Sequence, residues 1–375
     1  MRSLISVLLL LCFCCAQQEP TKDPLYLILE SNEIEIKRVM ENLEDHEVQI
    51  KYSEIIREDN SVSFIDHDFN INDSVYFYPA SSVKFPAAVL ALEKLNSENM
   101  YSINTPFYVE GDSSSTTFKN EIIKIFAVSD NQAYNRLFEF LGKDHINSKL
   151  HAKGLEPARI SHRLSTNNAY DLRTKPLVFY ENDSTLKPTD EIDNVAIEEL
   201  TLPNIKKGKG FYANDELINE PFDFSLKNYL PINTLHNTMK QLIFPEQFDE
   251  SQRFKLSSED RLFLLESMSS LPKDSGYETE DYYDSYVKFF IFGDSKDPIS
   301  EHMKIYNKVG YAYGYLTDCA YIRDEKNDID FMITATIHVN KDGIFNDDVY
   351  EYEDIGIPFL AELGRQLYQY ELTKK

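Results

Sequence analysis

The first part of the chain changes from a helical to an extended periodicity. Apolar residues within 36–43 recur at helix spacing and predict a helix with one apolar face. Within 48–52, apolar and polar residues alternate as in a half-buried strand, and a second extended run follows at 63–65. This segment therefore predicts a helix followed by a β-hairpin.

The last part of the chain has strands first and a helix afterwards. Two β-rich runs, 317–323 and 331–339, are separated by the polar turn 324–330. Pro358 then begins an apolar stripe at helix spacing, which predicts a final helix. We expect the strands of both ends to form one antiparallel sheet with flanking helices.

Between these ends the periodicity is mostly helical. The predicted helices span 85–95, 121–128, 131–141, 235–243 and 258–271. From 175 to 229 the periodicity fades among Pro, Gly and Asn residues, which predicts a long irregular excursion. Such an excursion is uncommon in a compact domain unless it covers or shapes a site.

These elements predict an α/β fold of the α+β sandwich type in two parts. We expect 27–80 and 300–375 to form the sheet domain, and 81–299 to form a mostly helical domain that carries the excursion. A polar lead, 17–26, precedes the sheet domain.

The charge of the chain excludes one class of function. Its 375 residues include 38 basic and 63 acidic side chains, a formal net charge of −25. Nucleic-acid binding depends on clustered Lys and Arg, so we expect no nucleic-acid partner. The hydrophobic content of 42% is enough for a substantial core and excludes disorder of the whole chain.

The first sixteen residues have the pattern of a secretory signal. Arg2 gives a positive start, and an apolar run over 4–15 ends in the small residues Cys14-Cys15-Ala16. Cleavage after Ala16 would release a soluble chain, whereas modification of Cys15, as in the bacterial lipoprotein signals that this segment resembles, would leave a lipid anchor. Both remain open. We expect a bacterial protein that is periplasmic or anchored at the membrane surface.

Neither cysteine nor histidine indicates a metal or a disulfide framework. After residue 16 the chain keeps one cysteine, Cys319, within an apolar run typical of a buried thiol. The eight histidines show no metal-ligand spacing. We therefore expect no metal and no organic cofactor.

A serine and a lysine separated by three positions introduce the chemistry. Ser81-x-x-Lys84 opens a predicted helix, where i and i+3 share a face. A neutral amine beside a serine hydroxyl can accept its proton and make it a nucleophile. Burial and a second nearby cation both lower a lysine pKa, so this chemistry needs a dry, electropositive pocket.

That spacing alone is weak, but two further motifs follow it. The same spacing recurs at Ser184/Lys187, Ser270/Lys273 and Ser285/Lys288. Only the first is followed by Ser129-Asp130-Asn131 between two predicted helices and by Lys308-Val309-Gly310 at the start of a strand pair. Taken singly, Ser81 is typical of a helix N-cap and Lys308 of an exposed strand edge. Their common order favours a serine acyl-transfer site.

In this order the three motifs resemble the signature of the penicillin-recognising serine hydrolases, most closely the class A β-lactamases. The resemblance spans nearly all of the chain after the signal, with the excursion as an insertion. It implies that Ser81 is the acylated nucleophile and Lys84 its proton partner. Ser129 would relay a proton to the departing nitrogen.

The resemblance also implies a substrate-binding set. Asn131 would hold Lys84 or the substrate amide, and Lys308 would hold the substrate carboxylate. Gly310 would let the substrate lie along the strand edge. The backbone amides of Ser81 and Tyr311 would form the oxyanion hole.

Two positions depart from the family pattern. Val309 replaces a hydroxyl residue, which removes one hydrogen bond to a carboxylate. Class A enzymes also use a glutamate to activate the water that hydrolyses the acyl-enzyme, and 157–170 contains no carboxylate. Asp171 and His162 are the candidate replacement bases, and a packing role is the alternative for His162.

The sequence thus predicts a secreted serine hydrolase that is acylated at Ser81 by a β-lactam or a related cyclic or peptidic amide and then hydrolyses it. The missing glutamate keeps other hypotheses open: a cell-wall D-Ala-D-Ala-type peptidase, an esterase, or a penicillin-binding sensor without turnover. The partner would be a small molecule or a cell-wall peptide, and we expect a monomer.

Overall fold

The structure, a computed structural model, describes residues 22–58, 61–182, 185–277 and 280–375. The predicted signal, 1–16, with its anchor candidate Cys15, and the start of the polar lead, 17–21, lie outside the described residues. Within the described ranges, no helix combines the length and apolar composition needed to cross a bilayer.

Helices lie near both ends of the chain and dominate its middle. The α-helices of the described ranges are α1 (Pro24–Leu29), α2 (Ile34–Met40), α3 (Lys84–Glu98), α4 (Phe118–Ala127), α5 (Asn131–Leu141), α6 (Lys143–Ala152), α7 (Ile232–Ile243), α8 (Ser258–Ser269) and α9 (Ile357–Thr373). A 3₁₀ turn, Ala80–Val83, leads directly into α3.

Strands are long near the two ends and short in the excursion. They are β1 (Gln49–Glu58), β2 (Ser61–Phe69), β3 (Phe107–Val109), β4 (Leu177–Asn182), β5 (Thr185–Pro188), β6 (Lys206–Lys207), β7 (Gly210–Ala213), β8 (Glu216–Ile218), β9 (Phe222–Asp223), β10 (Met303–Ala312), β11 (Tyr315–Asp324), β12 (Ile329–His338) and β13 (Ile344–Phe345).

The main sheet joins strands from both ends of the chain. Its five strands pair in the order β10-β11-β12-β1-β2, all antiparallel. The register places Lys308 opposite Cys319 and Ile50 opposite Ala335. The predicted fold class, a sheet from both termini with flanking helices and a helical part, is confirmed.

Alternate residues of the sheet pack into two different cores. Cys319 and Met332 belong to the cluster that α3, α4, α5, α7 and α8 build on one face. Their sequence neighbours Ala320 and Ile333 pack on the opposite face with α1, α2 and α9. This follows from the two-residue period of a strand, and it buries the central strands on both faces.

The polar lead and the middle of the chain differ from their predicted structure at two places. The lead ends in α1, whose N-cap Asp23 accepts a hydrogen bond from the Leu25 amide. Helix α6 was not predicted because its apolar face is narrow, with Ile146 and Leu150 buried. It follows α5 after one residue, Gly142, whose φ of 73° breaks the helix.

The prediction that 175–229 is irregular is wrong in part. Strands β4 to β9 lie within it, and β7 pairs in parallel with β13 near the C-terminus. These strands are two to six residues long, and every residue of β5 and β8 is exposed. Strands β5 and β8 have no buried face, and β4 buries the consecutive residues Leu177, Val178 and Phe179. None of the three shows an alternation of apolar and polar residues, so the sequence pattern could not reveal them.

Candidate active site

Ser81 lies in the 3₁₀ turn before α3, with a free hydroxyl. The backbone of the turn is held by the amide and hydroxyl of Ser82, which donate to the Pro79 carbonyl at 3.0 and 2.7 Å. The Lys84 amide donates to the Ser81 carbonyl, which stacks these two residues on one side of the turn. Among the described residues, the Ser81 hydroxyl has no hydrogen-bond partner, and it lines a cleft.

Two residues of the site have a backbone conformation that is unusual for them. Ala80, directly before the candidate nucleophile, has a φ of 46°, and Ser129 has a φ of 56°. Non-glycine residues in this left-handed region cost energy and persist where the surroundings fix them. Here the Lys84 amine helps to fix Ser129 because it donates to the Ser129 carbonyl.

Gly310 brings the edge strand β10 against the turn that carries Ser81. A Cβ atom on Gly310 would lie 2.5 Å from the Pro79 oxygen, 2.7 Å from the Ser82 nitrogen and 2.9 Å from the Ser81 nitrogen. Only glycine allows this approach. The strand backbone of the third motif therefore touches the backbone of the first, and Tyr311 follows immediately on the cleft wall.

Lys84 joins the first motif to the second. Its side chain is fully buried, and its amine donates to the Ser129 hydroxyl at 3.3 Å and to Asn131 Oδ1 at 2.7 Å. It makes no hydrogen bond to Ser81 in this structure. Burial lowers the pKa of Lys84 to about 7, against a smaller opposing effect of Asp130.

Lys308 joins the third motif to the same serine. Its amine donates to the Ser129 hydroxyl at 2.8 Å and to the Val309 carbonyl at 2.7 Å. Burial, together with the charge of Lys84, holds the pKa of Lys308 well below its usual range. Ser129 therefore contacts both amines. A hydroxyl in that position can pass a proton from one group to another.

Asn131 and Asp130 have separate roles at the start of α5. The Asp130 carboxylate caps the helix by accepting from the Ala133 amide at 2.7 Å. Asn131 holds Lys84 through its oxygen, and its amide nitrogen donates to the Ser165 hydroxyl at 2.9 Å. Ser165 thus occupies the side of Asn131 that faces the loop after α6.

Neither candidate base lies in a favourable position. Asp171 is exposed and is not among the residues that line the cleft. His162 lines the cleft but is only 4% exposed, and its Nδ1 donates to the Arg163 carbonyl at 2.6 Å. Its Nε2 is buried without a partner among the described residues, and burial lowers the pKa of His162 to about 4. The ring packs between Tyr78 and Tyr170, as in the packing alternative.

The cleft itself has a volume of about 540 Å³, and six of the nineteen residues that line it are tyrosines. Of the predicted site residues, Ser81, Asn131 and Tyr311 line it, whereas Lys84 and Lys308 lie behind its wall, 0% and 1% exposed. In this structure the Lys308 amine therefore contacts Ser129 and not the cleft. Val309 is buried in the core on the α9 side of the sheet.

Sequence reasoning missed several residues that line the cleft. They include Ser165, Lys227, Tyr78, Tyr313 and Asp348. Two of them could have been found by their nearness to a motif in the sequence: Tyr78 precedes Ser81 by three positions, and Tyr313 follows Gly310 by three. Lys227 belongs to the excursion, where no motif indicated a function. Asp348 is the one carboxylate among the described residues that line the cleft.

No cation site is indicated in the described part of the chain, where no group of three or more His, Cys, Asp or Glu side chains could hold a metal ion.

Comparison with known proteins supports the same family. Residues 35–193 match the model of a family described as the beta-lactamase enzyme family. This segment contains Ser81, Lys84, Ser129, Asn131 and Ser165. No curated protein sequence matches the chain.

Solved structures match nearly the whole chain. The similar structures include a β-lactamase from Sphaerobacter thermophilus (TM-score 0.52, 13% identity, 93% of this chain and 96% of that one), a β-lactamase from Burkholderia vietnamiensis (0.52, 12%, 92% and 94%) and a class A β-lactamase representative from Bacteroides cellulosilyticus (0.52, 11%, 93% and 99%). At these identities the likeness concerns the fold.

The chain has the class A β-lactamase fold. With the family match, this confirms the predicted resemblance to the β-lactamase-related serine hydrolases. The β-lactamase-type fold brings together three motifs that are 227 positions apart at their extremes, from Ser81 to Lys308. The family match covers residues 35–193, and the likeness of fold extends over nearly the whole chain.

Proposed function

We propose that the protein is acylated at Ser81 by a β-lactam or a related cyclic or peptidic amide. One observation carries this proposal: the Ser129 hydroxyl contacts two buried amines, Lys84 and Lys308, behind the wall from which Ser81 opens into a cleft. Such crowding of cations favours a neutral amine, which is the form that can accept a proton from a serine.

The proposed acylation moves one proton and exchanges one bond. Neutral Lys84 accepts the Ser81 proton as the Ser81 oxygen bonds to the amide carbonyl carbon. The carbon–nitrogen bond then breaks, and the leaving nitrogen receives a proton through the Ser129 hydroxyl. The Ser81 amide, which begins a 3₁₀ turn and has no acceptor within it, would stabilise the developing oxyanion with the Tyr311 amide.

Hydrolysis of the acyl-enzyme is expected to be slower than acylation. Ser165 lies in the segment 157–170, which contains no carboxylate to activate water, and its hydroxyl accepts a hydrogen bond from the Asn131 amide. A serine hydroxyl cannot take a proton from water at neutral pH as a carboxylate can. This favours, as a second candidate, a penicillin-binding or sensor protein that holds its acyl group.

Labelling with a fluorescent penicillin tests the proposal. Wild-type protein should carry a persistent label, and Ser81→Ala should carry none while its unfolding temperature stays unchanged. Label on folded Ser81→Ala would overturn the assignment of the nucleophile.

A carboxylate at position 165 tests the account of hydrolysis. Ser165→Glu should shorten the lifetime of the label about 100-fold, within the range of general base catalysis. Thr166→Glu is the matched control, because the Thr166 hydroxyl bonds to Asn168 and not to Asn131. Equal effects of both variants, or none from Ser165→Glu in labelled protein, would contradict this account.

Export remains part of the proposal and rests on residues 1–16 alone. Mass spectrometry of the N-terminus after bacterial expression distinguishes cleavage after Ala16 from a lipid-modified Cys15. An intact first sixteen residues in cytoplasmic protein would overturn it.

A further inference from the structure

One cation on the cleft wall has no counter-charge. Lys227, in the excursion, lines the cleft, and among the described residues its amine makes no hydrogen bond and no salt bridge. Instead it lies 5.4, 5.6 and 5.7 Å from the ring centroids of Tyr170, Phe222 and Tyr313. Aromatic faces attract an ammonium group and orient it, but they do not neutralise its charge.

The backbone of Lys227 is fixed on both sides of its side chain. Its amide donates to the Phe224 carbonyl at 2.9 Å. Its carbonyl accepts from the Arg159 guanidinium at 2.6 Å, and the same group donates to the Ser225 carbonyl at 2.7 Å. The three aromatic rings and the anchored backbone of Lys227 therefore hold its ammonium group at the cleft. Among the described residues this group has no salt-bridge partner.

The other cations near the cleft already have hydrogen-bond partners within the protein. The Arg163 guanidinium is 1% exposed and donates to both carboxylate oxygens of Glu139 at 2.6 and 2.8 Å. Lys84 and Lys308 contact Ser129 behind the wall. Asp348 also lines the cleft but forms no salt bridge with Lys227. In a chain of net charge −25, an anion that enters this cleft therefore meets Lys227 as its accessible cation among the described residues.

We infer that Lys227 binds an anionic substituent, a carboxylate, of the amide that is acylated at Ser81. This inference rests on the proposed function and specifies its substrate class: amides that carry a carboxylate beside an aromatic or alkyl body, which the rings of Tyr78, Tyr170 and Tyr313 would contact. It also gives the excursion a function. The excursion supplies the anion-binding group that Lys308, held by Ser129, does not offer to the cleft.

Equilibrium binding tests the inference without any acylation. Benzoylglycine, which carries a carboxylate and an amide, is compared with its neutral analogue benzoylglycinamide by calorimetry or NMR titration on the full chain. Wild-type protein should bind the anion more tightly, and Lys227→Met should lose about 10-fold of that affinity, the range of one charge-assisted hydrogen bond. Binding of the neutral amide should change little.

The control variant removes another lysine that packs on an aromatic ring, at a site away from the cleft. Lys296 lies 5.0 Å from the ring centroid of Tyr283, is exposed and is not among the cleft residues. Lys296→Met should bind both ligands like wild type, and Lys227→Arg should restore the preference for the anion. No preference in wild type, or an equal loss for both ligands in a folded Lys227→Met protein, would overturn the inference.

Acylation separates this inference from the proposed function. With a penicillin and its neutral methyl ester as labels, Lys227→Met should slow labelling by the acid about 10-fold and labelling by the ester much less. Absence of any label with intact anion binding would reject acylation at Ser81 and keep the anion site. A labelling rate that does not depend on Lys227 would support acylation at Ser81 and reject the anion site.

Discussion

Two clusters of the described residues each bring a serine together with a lysine and other polar groups, and they differ in whether the serine faces a cleft. The cleft cluster consists of Ser81, Lys84, Ser129 and Lys308. The core cluster, between β1, β2, β12 and α7, consists of Ser53, Asp66, His236 and Lys240. Its residue types are at least as suggestive as those of the cleft, because serine, histidine and aspartate form the best-known hydrolytic triad.

The two serines differ in what their hydroxyl groups contact. The Ser53 hydroxyl is fully buried and contacts Asp66 at 2.5 Å and His236 at 2.8 Å. The other ring nitrogen of His236 contacts the Thr334 hydroxyl at 2.9 Å, so the histidine does not link the aspartate to the serine. The Ser81 hydroxyl is unpartnered among the described residues and opens into a cleft.

This difference shows that residue types are not sufficient for nucleophilic chemistry. A hydroxyl whose hydrogen-bonding capacity is filled inside the core stabilises the fold, whereas one that keeps free capacity at a cleft can meet a substrate. If the clusters are separated in this way, substitutions in the cleft cluster should change the rate of acylation and substitutions in the core cluster should change stability.

The largest expected effect concerns the lysines of the two clusters. Lys84→Met should slow acylation by a fluorescent penicillin about 1,000-fold, because it removes the proton acceptor. Lys240→Met should leave acylation within about 2-fold, since Lys240 contacts Asp66 at 2.5 Å and no cleft residue. Stopped labelling reactions measure both rates. An equal loss in folded Lys240→Met protein would remove the distinction between the clusters.

The next effect is the pH dependence of acylation. Because the pKa of Lys84 is about 7, its amine is protonated below pH 7 and cannot accept the Ser81 proton. The labelling rate should therefore fall about 10-fold per pH unit below pH 7 and level off above it. Ser53→Ala should keep this profile, because burial holds the pKa of His236 well below its ordinary value and keeps it neutral. A midpoint near that of an ordinary lysine would contradict the assignment.

The smallest effect concerns stability, and here the core cluster should be more sensitive to substitution than the cleft cluster. Ser53→Ala should lower the free energy of unfolding by about 1–3 kcal/mol, because His236 would lose a buried hydrogen-bond partner. Ser81→Ala should change it by less than about 0.5 kcal/mol, since the hydroxyl has no partner among the described residues. Urea denaturation measures both. A larger loss for Ser81→Ala would show that the cleft serine is structural.

The outline of the fold was predictable because long elements bury one face or two. Burial of a face requires apolar residues at a fixed period along the chain. This period is visible as alternation in 48–52 and 331–339 and as helix spacing in 131–141. The short strands of the excursion are either exposed, as β5 and β8 are, or bury consecutive residues, as β4 does, so their pairing left no such pattern. The domain boundaries drawn from the sequence stay a prediction.

Part of the candidate site was predictable for a different reason. The order of the three motifs indicated which of the repeated Ser-x-x-Lys spacings to choose, and the structure brings Ser81, Ser129 and Lys308 together. Two other copies have clear structural roles. Lys288 is fully buried against Met268 and Ile305 carbonyls, and Lys273 pairs with Asp284 at 2.7 Å.

What the sequence by itself determined is the set of local features: amphipathic faces, a cap at Asp130, and motifs whose spacing puts Ser81 and Lys84 on one turn. These depend on neighbours along the chain. Only the tertiary structure decided that both amines meet at Ser129, that Lys308 is withdrawn from the cleft, and that Lys227 enters it from the excursion. Desolvation, pKa and access depend on groups remote in sequence, and no local pattern records those distances.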